Sequence, residues 1–413
     1  MKKLVFRNGI YSVLRPLYYV CKLFGLASYS YVADRRNKRV TSDYGYLNYI
    51  FTVIWLILFS VGLPVQILTL CSVDVGSKVS FIAYMLYIIS SYTSGIVVVV
   101  WVSIIKRKMF LEVIENISIV DNKLRYTVQE ETYMNRNVMF NIISEIILLT
   151  VINCAVIIYN IYLIASEPYY TIVIATIGYV PVICNALILF QFVNLVFMVK
   201  QRYSHLNNRL TSWLIGKVNR QMYLEKENER CIRSASAVDH VIVTPVCVSS
   251  VGKIERKPRQ TDIHLLRQIY RELYDITCLI NYTYGFPILA IVCCMLIGVV
   301  FSLYEVLIYS YFNVWLGENL TYGLTFMVLF LKVTFFCHTA TNEARSSRIL
   351  VEKLLLEGTC SNECVKELKM FSLQLQAMAN QYTACGFFSL NLRLFASVVS
   401  VIVSYIVIMV QIK

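Results

Sequence analysis

The chain alternates long apolar runs with polar intervals. The apolar runs occupy residues 47–71, 79–105, 138–165, 169–199, 285–312, 322–341 and 387–412. A helix rises 1.5 Å per residue, so about 20 apolar residues cross a hydrocarbon core of about 30 Å. Each run meets that length, and together they predict seven membrane-spanning helices.

The last run carries its polar residues in order. Ser397, Ser400 and Ser404 recur at three- and four-residue spacing, and Tyr405 and Gln411 follow. Such spacing sets the three hydroxyls along one helix face. Two readings stay open: the serines bond back to their own helix or pack helices closely, or they face a cavity or water path.

The polar intervals are structured too. In the interval 200–284, residues 201–214 and 261–284 repeat apolar positions at three and four, so the fourth and fifth spans are expected to continue as helices beyond the membrane. Between them, 219–260 has mixed charge, Pro245, Pro258 and no sustained period, and reads as a flexible insert. Residues 342–357 and 362–382 are amphipathic, with apolar stripes through Leu354, Leu368, Phe371, Leu375 and Met378. Four extensions from spans four to seven can thus bundle. The N-terminal segment holds an apolar and cationic stretch at 14–26 that suits a short helix against the membrane surface.

Composition fixes the class. Hydrophobic residues make up 58% and charged residues 15% of the 413, against roughly 25% charged in soluble domains, so the chain reads as an all-α polytopic membrane protein. The net charge of +13 is explained by its distribution. The intervals before and between the spans hold nine, one, six, none, fourteen, none and five basic residues, with Lys332 and Arg393 inside runs and Lys413 after the last. By the positive-inside rule the N-terminus is cytoplasmic and the C-terminus extracellular. The expected organisation is a cytoplasmic segment 1–46, spans one to four in 47–199, cytoplasmic extensions in 200–284, spans five and six in 285–341, anchor helices in 342–386, and the seventh span in 387–413. No cleavable leader precedes the first span, which serves as the targeting signal. The sequon at Asn319 falls in an expected exterior loop and is the glycosylation candidate, whereas that at Asn116 falls on the cytoplasmic side.

Candidate chemistry is sparse. Thirteen cysteines lie scattered, many inside apolar runs, which argues against a disulfide framework. Cys360 and Cys364 have no nearby histidine to complete a metal site, and the four histidines are dispersed. No catalytic constellation or cofactor motif is present, so the chain reads as a non-enzyme without cofactor or metal. Lys253, Arg256, Lys257 and Arg259 read as a solvated or lipid-attracted patch, with no nucleic-acid partner expected.

Ser404-Tyr405, five apolar residues and Gln411-Ile412 resemble the C-terminal signature of insect gustatory receptors, Thr-Tyr, five hydrophobics, Gln-Phe. Ser404 stands for Thr and Ile412 for Phe. Pro16-Leu17, Gly25-Leu26, the inverted seven-span topology and the long helix after span six are similar as well. The resemblance implies a ligand-gated non-selective cation channel of the sensory-neuron plasma membrane. It would be a homotetramer, or a heterotetramer with related subunits, in which the last helix of each subunit lines the pore and the cytoplasmic extensions hold the subunits together.

Carried over by position, Gln411 and Ile412 sit at the extracellular constriction, with Tyr405 and Ile408 lower on the pore. A ring of Ile412 side chains closes such a pore by dewetting, and Gln411 amides meet hydrated cations when it opens. The resemblance also implies a tastant pocket in the outer half of the first six helices. Its candidates are Tyr84, Tyr87, Asn153, Tyr159, Thr176, Tyr179, Tyr304, Glu305, Thr325 and Phe326, aromatic walls with a few polar groups. Most of the thirty tyrosines are nevertheless expected in packing or interfacial positions. Sparse carboxylates and amides in the outer halves favour bitter-type or other apolar tastants over sugars.

Two charges fall inside runs. Glu305 is expected about 10 Å, and Lys332 about 15 Å, from the exterior face. An intramembrane charge costs on the order of 3 kcal/mol, so Lys332 is expected to pair with Glu305 or Glu145, or else to snorkel. A G-protein-coupled receptor is the competing reading, but it requires the opposite orientation and its Asp-Arg-Tyr and Asn-Pro-x-x-Tyr sequences are absent. A secondary transporter would require repeats and Gly/Pro-broken midplane helices, for which Pro181 and Pro287 are too isolated.

Overall fold

A computed structural model describes residues 5–34, 39–43, 49–72, 78–124, 126, 128–163, 178–235, 259–308, 314–356 and 361–411, some of them as backbone only. The helices are α1 (Asn8–Leu23), α2 (Ile50–Ser72), α3 (Lys78–Val100), α4 (Met109–Leu124), α5 (Val128–Leu163), α6 (Val180–Ala235), α7 (Gln260–Ile308), α8 (Val314–Leu356), α9 (Asn362–Ala377) and α10 (Leu392–Gln411). Strands β1 (Val5–Arg7), β2 (Ser30–Asp34) and β3 (Arg39–Asp43) form an antiparallel sheet ordered β1-β3-β2. A two-residue-strand hairpin, β4 (Thr383–Ala384) and β5 (Phe388–Ser389), precedes α10.

Among the described residues six helices, α2, α3 and α5 to α8, are long and apolar enough to cross a membrane, and a shorter apolar helix covers Leu392–Ile408. This is the seven-helix polytopic architecture that the apolar runs predict. Several helix ends differ from the runs because polar helix formers carry a helix past its apolar part. Thus α5 starts at Val128, ten residues before its apolar run, and α6 reaches Ala235, sixteen residues into the expected flexible insert. Residues 220–235 contain neither Gly nor Pro and are rich in Glu, Lys, Arg and Gln, so nothing stops the helix. Residues 236–258 lie outside the described residues.

Because α8 starts at Val314, Asn319 of the sequon lies on its second turn instead of in the expected loop. Its side chain is outside the described residues. The last helix starts at Leu392 instead of 387: Asn391 caps it, its Oδ1 accepting the Leu394 N–H at 2.9 Å. Residues 387–389 belong to the hairpin, whose corner is Cys385 (φ 51°) and Gly386 (φ 77°). Ala384 pairs with Phe388 across a three-residue turn, and the positive φ at its first two positions suits the twist of the flanking strands.

The chain forms two compact units. One comprises Met1–Gln201, Glu272–Thr341 and Gln381–Lys413, and the other Arg202–Arg271 and Asn342–Asn380. In the second, segments of α6, α7 and α8 pack with α9 around Leu206, Leu210, Ile269, Tyr270, Val351, Leu368 and Phe371, all buried. Polar bonds fix their register: Asn207 Nδ2 donates to the Glu343 carbonyl at 2.8 Å, and Ser347 Oγ donates to Asn207 Oδ1 at 2.6 Å. Arg267 pairs with Glu367 at 3.4 Å, joining α7 to α9.

In the first unit, α1 turns its apolar face inward. Ile10, Val13, Leu14, Leu17 and Cys21 are buried against protein, so the helix is not laid apolar-face-down on lipid. Its end is a Schellman turn: Leu26 N–H donates to Cys21 O at 2.8 Å and Gly25 N–H to Lys22 O at 3.1 Å, with Gly25 at φ +71°. Thr52 and Ser103 hydroxyls both donate to Gly25 O, and Trp55 Nε1 donates to Leu23 O at 2.8 Å. A Cβ on Gly25 would lie 2.8 Å from Thr52 Cα, so glycine is required twice over. Ser103 belongs to a π-helical turn, Trp101–Ile105, that ends α3. Trp101 from that turn donates to Thr283 O on α7 at 2.9 Å.

Candidate functional site

On α10, Phe395, Val398 and Ile402 pack on the rest of the chain: Phe395 lies 6.0 Å from Phe330 of α8, and Ile402 is 3% exposed. Val398 and Ile402 close an apolar crevice with Val292, Met295, Phe326 and Phe330. At 100° per residue, Ser397, Ser400, Ser404, Ile408 and Gln411 share one stripe roughly opposite that packing face. All five are exposed, as is Tyr405. Each serine also bonds back: Ser397 donates to Arg393 O at 3.0 Å, Ser400 to Ala396 O at 3.1 Å and Ser404 to Ser400 O at 2.9 Å. Back-bonding and an outward polar stripe therefore coexist, since a hydroxyl keeps acceptor capacity after donating to its own helix. Ile412 lies outside the described residues.

Of the pocket candidates, a subset converges. Tyr84 and Tyr87 of α3 stack with each other at 6.4 Å, and lie 5.4 and 5.8 Å from Phe301 of α7. Gly298 makes room for this contact, because a Cβ there would lie 3.1 Å from the Tyr87 ring and 3.4 Å from Phe326 of α8. Tyr304 and Phe326 are buried, and Thr325 is half-buried beside Phe326. Tyr179 is buried at the start of α6, while Asn153 is half-buried and its amide donates to Leu149 O at 2.7 Å on its own helix. The side chains of Tyr159, Thr176 and Glu305 lie outside the described residues. Phe301 and Gly298, which the sequence reading did not select, are central to the cluster. Nothing in an apolar helix distinguishes them until α3 is placed against α7.

Lys332 has a defined partner. Its Nζ lies 2.6 Å from Glu145 Oε1, and Glu145 is 2% exposed. Asn194 Nδ2 donates to Glu145 Oε2 at 2.6 Å, and Asn141 Nδ2 donates to Glu145 Oε1 at 3.1 Å and to Asn194 Oδ1 at 2.9 Å. Lys332 also donates to Asn141 Oδ1 at 3.4 Å and lies within 6 Å of the Phe190 and Phe336 rings. The network ties α5, α6 and α8 together. Along α8, Lys332 lies about 27 Å from the first residue, Val314. Phe330, two positions before Lys332, lies 6.0 Å from Phe395 in the first turn of α10. Asn194, an amide inside an apolar run that also holds Asn185 and Gln191, was the available signal for this network.

No curated protein matches the chain. Among solved structures it is similar to the insect olfactory receptor OR5 from Machilis hrabei in complex with eugenol, with a TM-score of 0.69, 9% identity, and 98% of this chain and 99% of that one covered. The structure of the same receptor described without eugenol gives a TM-score of 0.67 at 10% identity, with 97% and 98% covered. At such identities the likeness establishes a shared fold. The 7tm Chemosensory receptor family model matches residues 14–413, and with seven apolar helices in that fold the chain belongs to the 7tm chemosensory receptor family.

Proposed function

We propose that the protein is a gustatory receptor subunit, a ligand-gated cation channel opened by a small organic tastant, with α10 of each of four subunits lining the pore. The reading is supported above all by the stripe of Ser397, Ser400, Ser404 and Gln411, which lies on the outward side of α10, roughly opposite the packing face of Phe395, Val398 and Ile402. A polar stripe on an apolar helix is costly against lipid. Surrounding a water-filled axis with four copies removes that cost. Gln411 and Ile412 form the constriction, and Tyr405 and Ile408 line the path below it.

In this reading the tastant binds beside Tyr84, Tyr87, Phe301 and Phe326, where aromatic walls suit an apolar ligand. The solved relative's complex with eugenol, itself a small aromatic molecule, is in keeping with such a site. The positive-inside pattern supports a cytoplasmic N-terminus, and the family resemblance supports a sensory-neuron plasma membrane. Whole-cell recording of the protein expressed alone, during a tastant screen, tests the function. A ligand-evoked cation current that persists with G-protein signalling blocked supports it, and a current abolished by that block favours the coupled receptor.

A further inference from the structure

The outward face of α1 has a chemistry of its own. With Ile10, Val13, Leu14, Leu17 and Cys21 turned into the protein, the helix presents Arg15, Tyr19 and Leu23 outward at four-residue spacing. Arg15 lies over the Tyr19 ring at 5.4 Å, and Tyr19 and Leu23 are 51% and 55% exposed. Lys22 is half-buried beside this stripe, its ammonium 3.2 Å from the Tyr18 hydroxyl. The stripe runs into Phe24, whose ring stacks on Trp55 at 5.6 Å, five residues inside the first spanning helix. At the foot of the same helix Arg107 lies over the Tyr49 ring at 5.3 Å. The sequence is thus cation, phenol, aliphatic, indole, the order of groups met on passing from phosphates to acyl chains.

We propose that this face binds an anionic phospholipid. Arg15 and Lys22 hold its phosphate and acidic headgroup, and Leu23 and Trp55 lie along the start of its acyl chains. Charge complementarity selects an acidic over a zwitterionic lipid, because each cation near an anionic surface contributes electrostatic attraction that a neutral headgroup does not return. The Gly25 turn, pinned by Thr52, Ser103 and Trp55, fixes the cations relative to the spans. A lipid held here therefore stiffens the junction of α1, α2 and α3. The proposal rests on the membrane-spanning reading but not on which face is cytoplasmic.

The test uses the full chain in nanodiscs, which present the same lipids on both faces, so the result does not depend on topology. Brominated phosphatidylserine or brominated phosphatidylcholine is doped into a phosphatidylcholine bilayer, and Trp55 emission is isolated by difference from Trp55→Phe. The expected result is stronger quenching by the acidic lipid, corresponding to an enrichment of roughly fivefold per cation at low salt. That preference falls to near equality in the Arg15→Gln/Lys22→Gln variant and is retained in Arg15→Lys/Lys22→Arg. Raising salt to about 0.5 M erases it in the unmodified chain, a readout that needs no variant. Equal quenching by the two lipids, a preference that salt leaves intact, or efficient crosslinking of Tyr19→Cys to a second copy would each overturn the proposal.

Discussion

Lys332 Nζ sits 2.6 Å from Oε1 of Glu145, and this pair closes a four-residue polar network across α5, α6 and α8. Glu145 has carboxylate oxygens served by Lys332, Asn141 and Asn194, so its charge is matched on both sides. Removing one partner of such a pair leaves an unmatched charge, which costs about 3–5 kcal/mol, whereas removing both charges together costs far less.

Lys332→Met is therefore expected to lower thermal stability sharply, as is Glu145→Gln to a smaller degree. The double variant should recover most of the loss. Melting of detergent-solubilised protein followed by size exclusion measures all three, and unchanged melting and surface expression in Lys332→Met would remove the pair from the account.

Gly25 combines φ +71° with a Cβ position 2.8 Å from Thr52 Cα. Gly25→Ala should cost about 2–4 kcal/mol, from the left-handed backbone and from contact with atoms that cannot rotate away. The same melting assay reads this. An alanine variant as stable as the parent would mean that α1 does not dock as described.

At the hairpin before α10, Cys385 holds φ 51° without being glycine, and a Cβ on Gly285 of α7 would lie 2.8 Å from its nitrogen. Cys385→Asn is expected to raise stability by a few tenths of a kcal/mol, because Asn tolerates this conformation better. Gly285→Ala should lower it by about 1–3 kcal/mol. If both changes were neutral, the hairpin would not be packed against α7.

Cys21 is fully buried, and burial pushes its thiol up to about 12. It stays protonated through neutral pH, and any thiolate-dependent destabilisation begins only as pH rises past the ordinary thiol range. Peptide-level mass spectrometry after maleimide treatment of folded protein at pH 7.5 should find exposed Cys385 modified and Cys21 intact. Rapid modification of Cys21 would contradict the inward face of α1.

Gln411→Ala and Ile412→Ala test the pore. The first is expected to change conductance or ion selectivity, and the second to raise closed-state leak by removing apolar bulk from the constriction. Recordings in which conductance, leak and selectivity all match the parent would show that the last helix does not form the gate.

The number, order and approximate place of the spanning helices were legible in the sequence, because lipid demands an unbroken apolar length that few other structures need. The stripe of Ser397, Ser400, Ser404 and Gln411 was legible for a related reason: helical periodicity alone decides which residues share a face. Helix ends were less so. Helix formers let α5, α6 and α8 outrun their apolar parts. Partners were decided only by the tertiary structure. Lys332 had two carboxylates to choose from, and the packing of α8 against α5 and α6 brought it to Glu145. Likewise, Phe301 and Gly298 gained their place beside Tyr84 and Tyr87 from the meeting of α3 with α7, and α1 turned its apolar face inward because the bundle offered it a surface. Contacts between distant segments depend on which helices are neighbours, and hydropathy, being a property of each segment alone, carries no record of that.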